Sequence, residues 1–138
     1  MRYLGLDLGT KTLGLAISDL TGTIASSYGI LRHNEEYEKL VEMVGKVIEE
    51  NDVKELVLGF PKNMDNSVGE RGNIALKFKE MLETTYNLPI HMQDERLTTV
   101  QAEHLLISND TSRKKRKKVI DSVAATIILQ SYLDRKGK

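Results

Sequence analysis

The sequence predicts an α/β fold in which helices flank a mixed five-stranded sheet. Three strand-like segments open the chain with only short turns between them, which is typical of an antiparallel meander. Helical and strand-like segments then alternate, and a strand that returns through a helix pairs parallel to its neighbour. We therefore expect the first three strands to be antiparallel and the later strands to run parallel to the first.

The meander is defined by two turns that are rich in glycine and threonine. Segments 3–7 and 14–18 are apolar, and residues 8–12 between them have the length and glycine content of a hairpin turn. A second turn at 19–23 leads into a third strand at about 24–31. The first strand therefore ends on an acidic residue.

The periodicity becomes helical after the meander. Apolar residues recur every three or four positions, which predicts an amphipathic helix over about 35–51 with Asn34 as its N-cap. Segment 119–133 is apolar nearly all round, which predicts a buried final helix. The elements between them are a strand at 55–59, a helix at 71–86, a strand at 88–93 and a helix at 100–107.

Length and composition limit the class of protein. A chain of 138 residues fits a single domain over 1–138. The absence of cysteine excludes disulfides, cysteine zinc sites and a cysteine nucleophile, and it fits a reducing cytoplasm. No apolar segment approaches the roughly 18 residues of a membrane span, and the early Asp7 argues against a secretory signal. We expect a cytoplasmic protein without a membrane partner.

Positive charge is concentrated in one segment. The net charge is zero, yet residues 113–118 (Arg-Lys-Lys-Arg-Lys-Lys) hold six of the 20 basic residues. The other 14 basic residues stand against 20 acidic ones, which leaves −6 elsewhere. A charge run is usually solvated, and this one is expected to be a loop or the entry to the final helix. Because it would attract a phosphate backbone, it is the strongest indication of nucleic-acid binding.

Acidic residues stand at the ends of strands that are predicted to be parallel. Asp7 ends the first strand, and Asp94 and Glu95 follow the fifth; sites in such sheets gather at these ends. Each acid also has a structural explanation, because Asp7 can cap a turn and the other two can favour a helix N-terminus. Asp121 is expected in the first turn of the final helix, where an acid taken alone is more often a structural cap than a metal ligand.

Three carboxylates in one cleft would need a cation. Desolvation and mutual repulsion make clustered acids costly, and a divalent cation removes that cost. Oxygen ligands favour Mg²⁺ or Mn²⁺ over zinc, and one or two such ions would activate water for attack on a phosphodiester.

The segment Gly9 to Gly14 has the spacing of a P-loop, but Leu15 and Ala16 stand where lysine and serine or threonine are required, so a P-loop is rejected.

Four motifs resemble the YqgF family, also called RuvX, which belongs to the RNase H-like superfamily near the RuvC resolvases. They occur in the family's order and span nearly the whole chain, so the resemblance is specific. The motifs are Leu6–Gly14 (LDLGTKTLG), Leu58–Asp65 (LGFPKNMD), Asp94–Thr99 (DERLTT) and Asp121–Ala125 (DSVAA).

The resemblance implies an RNase H-like nuclease that trims the 5′ end of the 16S ribosomal RNA precursor, with ribosomal particles as further partners. It implies that Asp7, Glu95 and Asp121 are the catalytic, metal-binding acids, with Asp94 in support. The residues expected to hold phosphates are Lys11, Lys62, Arg71, Arg96, Arg113, Lys114, Lys115, Arg116, Lys117 and Lys118.

Three alternatives remain open at the level of the sequence. The same chemistry could resolve Holliday junctions in DNA, which should require a dimer, and nothing in the sequence marks a dimer face. The segment Asp7–Lys11 also resembles the first phosphate loop of actin-like ATPases, but these bind nucleotide between two domains. An RNA-binding assembly factor without catalysis is the third alternative, and the intact acids argue against it.

Overall fold

The computed structural model describes residues 2–60, 69–94 and 113–136. Its strands are β1 (Arg2–Leu8), β2 (Thr12–Ser18), β3 (Ala25–Arg32), β4 (Val53–Phe60) and β5 (Ile90–Asp94). They form one five-stranded sheet in the order β3-β2-β1-β4-β5. Their bounds differ from the predicted ones by at most two residues.

The sheet is mixed, as the sequence predicts. β2 pairs antiparallel with β1 and with β3, which confirms the meander. β4 pairs parallel with β1 and with β5, which confirms the parallel part. The carboxyl ends of β1, β4 and β5 therefore meet at one end of the sheet.

In the described residues, three helices cover the two faces of the sheet. The predicted helix at 100–107 and the loop at 61–68 lie outside the described residues. Among the described helices, none is long and apolar enough to cross a membrane. The helices are α1 (Tyr37–Asn51), α2 (Glu70–Tyr86) and α3 (Arg113–Lys136).

The first face of the sheet packs against α1 and α2. Residues of β1 alternate between the two faces, and Leu4, Leu6 and Leu8 join the core on this side. Phe78 and Leu82 of α2 are buried there, at 1% and 0% exposure. Each such side chain contributes about 1.5–3 kcal/mol by leaving water. The residues of β1 between these leucines therefore face the opposite side of the sheet.

The opposite face of the sheet packs against α3 at very short range. Gly5 of β1 has no side chain, and a methyl group there would lie 2.7 Å from Leu129 Cβ and 3.1 Å from the Ala125 carbonyl oxygen. A real Cβ does not fit such a space, so the glycine permits α3 to lie directly on β1. Tyr3 and Ala125 belong to the same buried cluster.

The predicted start of α1 is wrong. The helix begins at Tyr37, and its N-cap position is Glu36 without a side-chain hydrogen bond, so Asn34 is not the cap. The cause is Glu35, whose φ of 63° lies in the left-handed region and cannot continue a right-handed helix.

The predicted start of the final helix is also wrong. α3 begins at Arg113 and not near residue 119, so the basic run 113–118 is the entry to the final helix, which confirms that alternative over a loop, and Asp121 lies beyond the second turn. Lysine and arginine are good helix formers, and neither glycine nor proline interrupts the segment. A role for Asp121 as a first-turn cap is thereby excluded.

The prediction that this helix is buried holds for one stripe only. In the part whose side chains are described, Ala125, Leu129 and Leu133 are buried, whereas Thr126 and Ile127 are half-buried. Contact with a single sheet face buries one side of a helix and leaves the other side partly open.

A polar cluster joins the C-terminal turns of α3 to the starts of the strands. Glu55 of β4 accepts a hydrogen bond from His91 of β5 at 2.9 Å, and the His91 ring stacks on Tyr132 with centroids 4.7 Å apart. Lys136 donates a hydrogen bond to the Tyr3 hydroxyl oxygen. Burial pushes the pKa of Glu55 upward, but hydrogen bonds from His91 and Tyr3 outweigh it, so this pKa lies below its usual range.

The Glu55 carboxylate should make stability dependent on acid pH. Its pKa is lowered by folding, so its contribution is complete above the unfolded value of about 4.3 and is lost as pH falls through the folded value. Glu55→Gln should cost about 1 kcal/mol at pH 7, and the gap to wild type should shrink below about pH 4. Thermal unfolding from pH 3 to 7 measures this.

The matched control is Glu83→Gln, which removes an ion pair with Lys79 on the surface of α2. Exposed pairs of this kind contribute about 0.3–0.5 kcal/mol. A Glu55→Gln deficit that stays constant down to pH 3 would contradict the assigned role of the carboxylate.

Candidate active site

Three residues form a row across the carboxyl end of the sheet on the α3 face. Leu6 and Leu8 pack on the opposite face, so Asp7 faces α3. Because Leu6 pairs with Leu58, Asp7 is level with Gly59 of β4. Gly59 in turn pairs with Gln93 of β5. An acid and an amide therefore flank a position that carries no side chain.

The amide of Gln93 is buried without a hydrogen-bond partner for its oxygen. The residue is 8% exposed, and within the described part of the chain its Oε1 is the buried side-chain atom that lacks a partner. Ile90 packs on the α1–α2 face, whereas His91 stacks on Tyr132 of α3, so strand alternation puts Gln93 on the α3 side. An unpaired buried polar group costs about 1–3 kcal/mol.

The register of α3 on β1 leads from the polar cluster toward Asp7. Tyr3 lies against Tyr132, with ring centroids 6.0 Å apart, and Gly5 lies against Ala125 and Leu129. Two strand residues span about 6.6 Å, close to the roughly 6 Å of four helix residues. An advance of two residues along β1 therefore corresponds to about one helical turn toward the N-terminus of α3.

The turn between β1 and β2 is fixed beside Asp7. The Gly9 N–H donates to the Thr12 carbonyl oxygen at 2.7 Å, and the His33 N–H donates to the Lys11 carbonyl oxygen at 2.9 Å. This geometry holds Lys11, which is exposed, at the carboxyl end of the sheet.

A buried histidine also holds this turn. His33 is 7% exposed, and its Nδ1 accepts a hydrogen bond from the Glu35 N–H at 3.1 Å. Its Nε2 lies 2.9 Å from the Gly9 carbonyl oxygen, so the partners require the neutral tautomer with the proton on Nε2. His33 is therefore a core histidine with both ring nitrogens in hydrogen bonds.

The structure describes only part of the predicted site. Asp7 and Lys11 are described in full, and for Asp94 and Asp121 the strand and the helix are described without their side chains. The same holds for Arg71 in α2 and for 113–118 in α3. Among the described side chains, no three acids or histidines are grouped to hold a metal. Three predicted residues lie outside the described part: Lys62, Glu95 and Arg96.

Gln93 is a site candidate that the sequence reasoning missed. The signal was present, because alternation along the fifth strand puts position 93 on the same face as His91 and opposite Met92. A neutral amide within a strand has no charge to distinguish it from the acids that follow the strand.

Comparisons with known proteins agree on one family. The sequence model of the RuvX family, described as a Holliday junction resolvase, matches residues 1–135. A relative from Bacillus subtilis, provisionally named pre-16S rRNA nuclease, is 52% identical over 97% of this chain and 98% of its own length. A relative with the same provisional name from Levilactobacillus brevis is 49% identical over 100% of this chain and 97% of its own length.

A solved structure shares the fold. RuvC from Thermus thermophilus in complex with a Holliday junction substrate superposes with a TM-score of 0.62 and covers 100% of this chain and 97% of its own. Its sequence identity of 14% means that this likeness concerns the fold, which is RNase H-like. With the full-length relatives, these matches establish that the chain is a hydrolytic nuclease and belongs to the RuvX family.

Proposed function

We propose that Asp7, Glu95 and Asp121 form the catalytic site of this nuclease and hold one or two Mg²⁺ or Mn²⁺ ions, with Asp94 in support. Residues 1–138 form a single RNase H-like nuclease domain in this proposal. The observation that carries it is the register of α3 on β1. One further step along β1, from Gly5 to Asp7, corresponds to one further turn of α3, from Ala125 to position 121.

The donor set fits a hard divalent cation. The three acids supply oxygen ligands, and the chain has no cysteine to offer sulfur. The unpaired Oε1 of Gln93 adds a buried oxygen on the same face as Asp7. When bound, the cation supplies positive charge for the phosphodiester and a hydrolytic water of lowered pKa.

Basic residues hold the phosphate backbone in this proposal. Lys11 is exposed on a turn that His33 keeps fixed, close to Asp7. The helical start of α3 carries 113–118 ahead of position 121 on the same rigid element. A run of lysine and arginine on one helix suits contact with phosphates without reading bases. Further phosphate contacts are proposed for Lys62, Arg71 and Arg96.

The substrate proposed is the 5′ end of the 16S ribosomal RNA precursor, cut in the cytoplasm during ribosome biogenesis. The provisional names of the relatives from Bacillus subtilis and Levilactobacillus brevis, both about half identical over nearly the full length, support this choice. Ribosomal particles are the partners that this substrate implies.

A Holliday junction is the second candidate substrate. Support comes from the description of the family model and from the fold shared with a junction-bound RuvC. An actin-like ATP-binding role has less support, because membership of the RuvX family accounts for the same Asp7–Lys11 turn.

The two substrates are distinguished by one cleavage assay. Purified protein with Mg²⁺ or Mn²⁺ is given precursor 16S rRNA with its 5′ extension, a four-way DNA junction, and ATP in separate reactions. We expect cutting of the RNA near the mature 5′ end, with no release of phosphate from ATP. Cutting of the junction alone would replace RNA processing by junction resolution, and cutting of neither polymer would contradict both.

A further inference from the structure

Gln93 is a buried polar residue that the proposed catalytic acids leave without a role. Its Oε1 has no hydrogen-bond partner within the described part of the chain, although the residue is 8% exposed. Gln130 of α3 shows what a satisfied amide looks like in this protein. Its Oε1 accepts from the Ala25 N–H at 2.8 Å, and its Nε2 donates to the Thr23 carbonyl oxygen at 3.0 Å.

The position of Gln93 is that of a site residue. It lies on β5, at the carboxyl end of the sheet and on the α3 face, two strands away from Asp7. Adjacent strands are about 4.8 Å apart, so the two backbones are separated by roughly 10 Å. Gly59 lies between them and contributes no side chain. The glutamine and aspartate side chains therefore lie on the same face of the sheet, on either side of the buried Gly59.

The chemistry of Gln93 Oε1 limits which partners it can bind. An amide oxygen accepts hydrogen bonds or binds a cation, and it cannot donate. Mg²⁺ and Mn²⁺ accept neutral carbonyl and amide oxygens beside carboxylates. A neutral ligand also adds no negative charge to a site that already gathers acids.

We propose that Gln93 Oε1 is a neutral oxygen ligand of the divalent cation held by Asp7, Glu95 and Asp121. This inference rests on the proposed function, because it requires a cation at that site. The unpaired amide oxygen then destabilises the metal-free protein, and metal binding removes this destabilisation.

Two measurements on Gln93→Leu test the proposal: Mn²⁺ affinity by titration calorimetry and thermal unfolding without metal. Leucine has nearly the same size but no oxygen. We expect Mn²⁺ binding to weaken at least about tenfold, while the melting temperature of the metal-free protein stays equal or rises. Gln93→Glu, which restores an oxygen ligand with charge, should bind Mn²⁺ more tightly than wild type and decides the matter if the leucine variant does not fold.

The matched control is Gln130→Leu, which removes a satisfied amide. Its melting temperature should fall because two hydrogen bonds to the β2–β3 connection are lost, and its Mn²⁺ affinity should not change.

Asp7→Asn separates this inference from the proposed function. Weakened Mn²⁺ binding in Asp7→Asn together with unchanged binding in Gln93→Leu would overturn the role of Gln93 alone. Unchanged binding in both variants would overturn the metal site itself. Unchanged affinity in Gln93→Glu would also contradict a ligand role for this position.

Discussion

Asp7→Asn is expected to lower nuclease activity by at least about a hundredfold. The substitution keeps the size of the side chain and removes the charge that holds the cation, and a metal ion supplies several kcal/mol of transition-state stabilisation. Asp7 is the last residue of β1 on the α3 face and lies between the buried Leu6 and Leu8, so its backbone position should not change. Initial rates of RNA cleavage at saturating Mg²⁺ measure the effect.

Asp52→Asn is the matched control for this experiment. Asp52 caps α1 in a left-handed conformation, which asparagine also adopts, and its side chain is 82% exposed. The control should cleave at the wild-type rate. Equal cleavage by wild type and Asp7→Asn, with Asp52→Asn also active, would remove Asp7 from the catalytic site.

Gly5→Ala is expected to impair both stability and catalysis. The new methyl group would lie 3.1 Å from a backbone oxygen of α3 and 2.7 Å from Leu129 Cβ, so the helix must move away from β1. Overpacking of this kind costs about 1–3 kcal/mol. The movement would also change the distance between β1 and α3, and a displacement of about 1 Å at a catalytic site can cost about a hundredfold in rate.

Gly45→Ala is the control that distinguishes a loss of stability from a change in the distance between β1 and α3. Gly45 lies in α1 on the other side of the sheet, where a methyl group would overlap the Tyr86 hydroxyl that donates to the Val41 carbonyl oxygen at 2.6 Å. Both variants should melt at lower temperature than wild type. At a temperature where both are folded, only Gly5→Ala should lose activity; comparable activity in the two would contradict a positioning role for Gly5.

The architecture could be predicted from the sequence because its signals are local. Short turns define the meander, and alternation within β1 separates Leu4 and Leu6 from Gly5 and Asp7. The start of α1 could not be predicted, because it depends on the left-handed conformation of Glu35, whose N–H binds the buried His33. The start of α3 could not be fixed from the sequence, because six basic residues are equally typical of a solvated loop and of a helical segment rich in lysine and arginine.

The site was predicted unevenly for a related reason. Asp7 could be identified because it interrupts an apolar strand at its carboxyl end. Asp121 could not be distinguished from a helix cap, because its relation to β1 depends on Gly5, whose contact with Ala125 and Leu129 spans more than a hundred residues of chain. Gln93 carries no charge; alternation along the fifth strand indicates its face, but its place level with Asp7 depends on the pairing of β5 with β4.

The convergence of Asp7, Glu95 and Asp121 on one cation is tested most directly by a crystal structure of the protein soaked with Mn²⁺. Anomalous scattering locates the ion independently of the protein atoms. We expect an anomalous peak at the carboxyl end of β1, within about 2.0–2.3 Å of oxygen atoms from all three carboxylates. A fully occupied Mn²⁺ elsewhere, or a peak beside Asp7 that Glu95 and Asp121 do not contact, would contradict the proposed site.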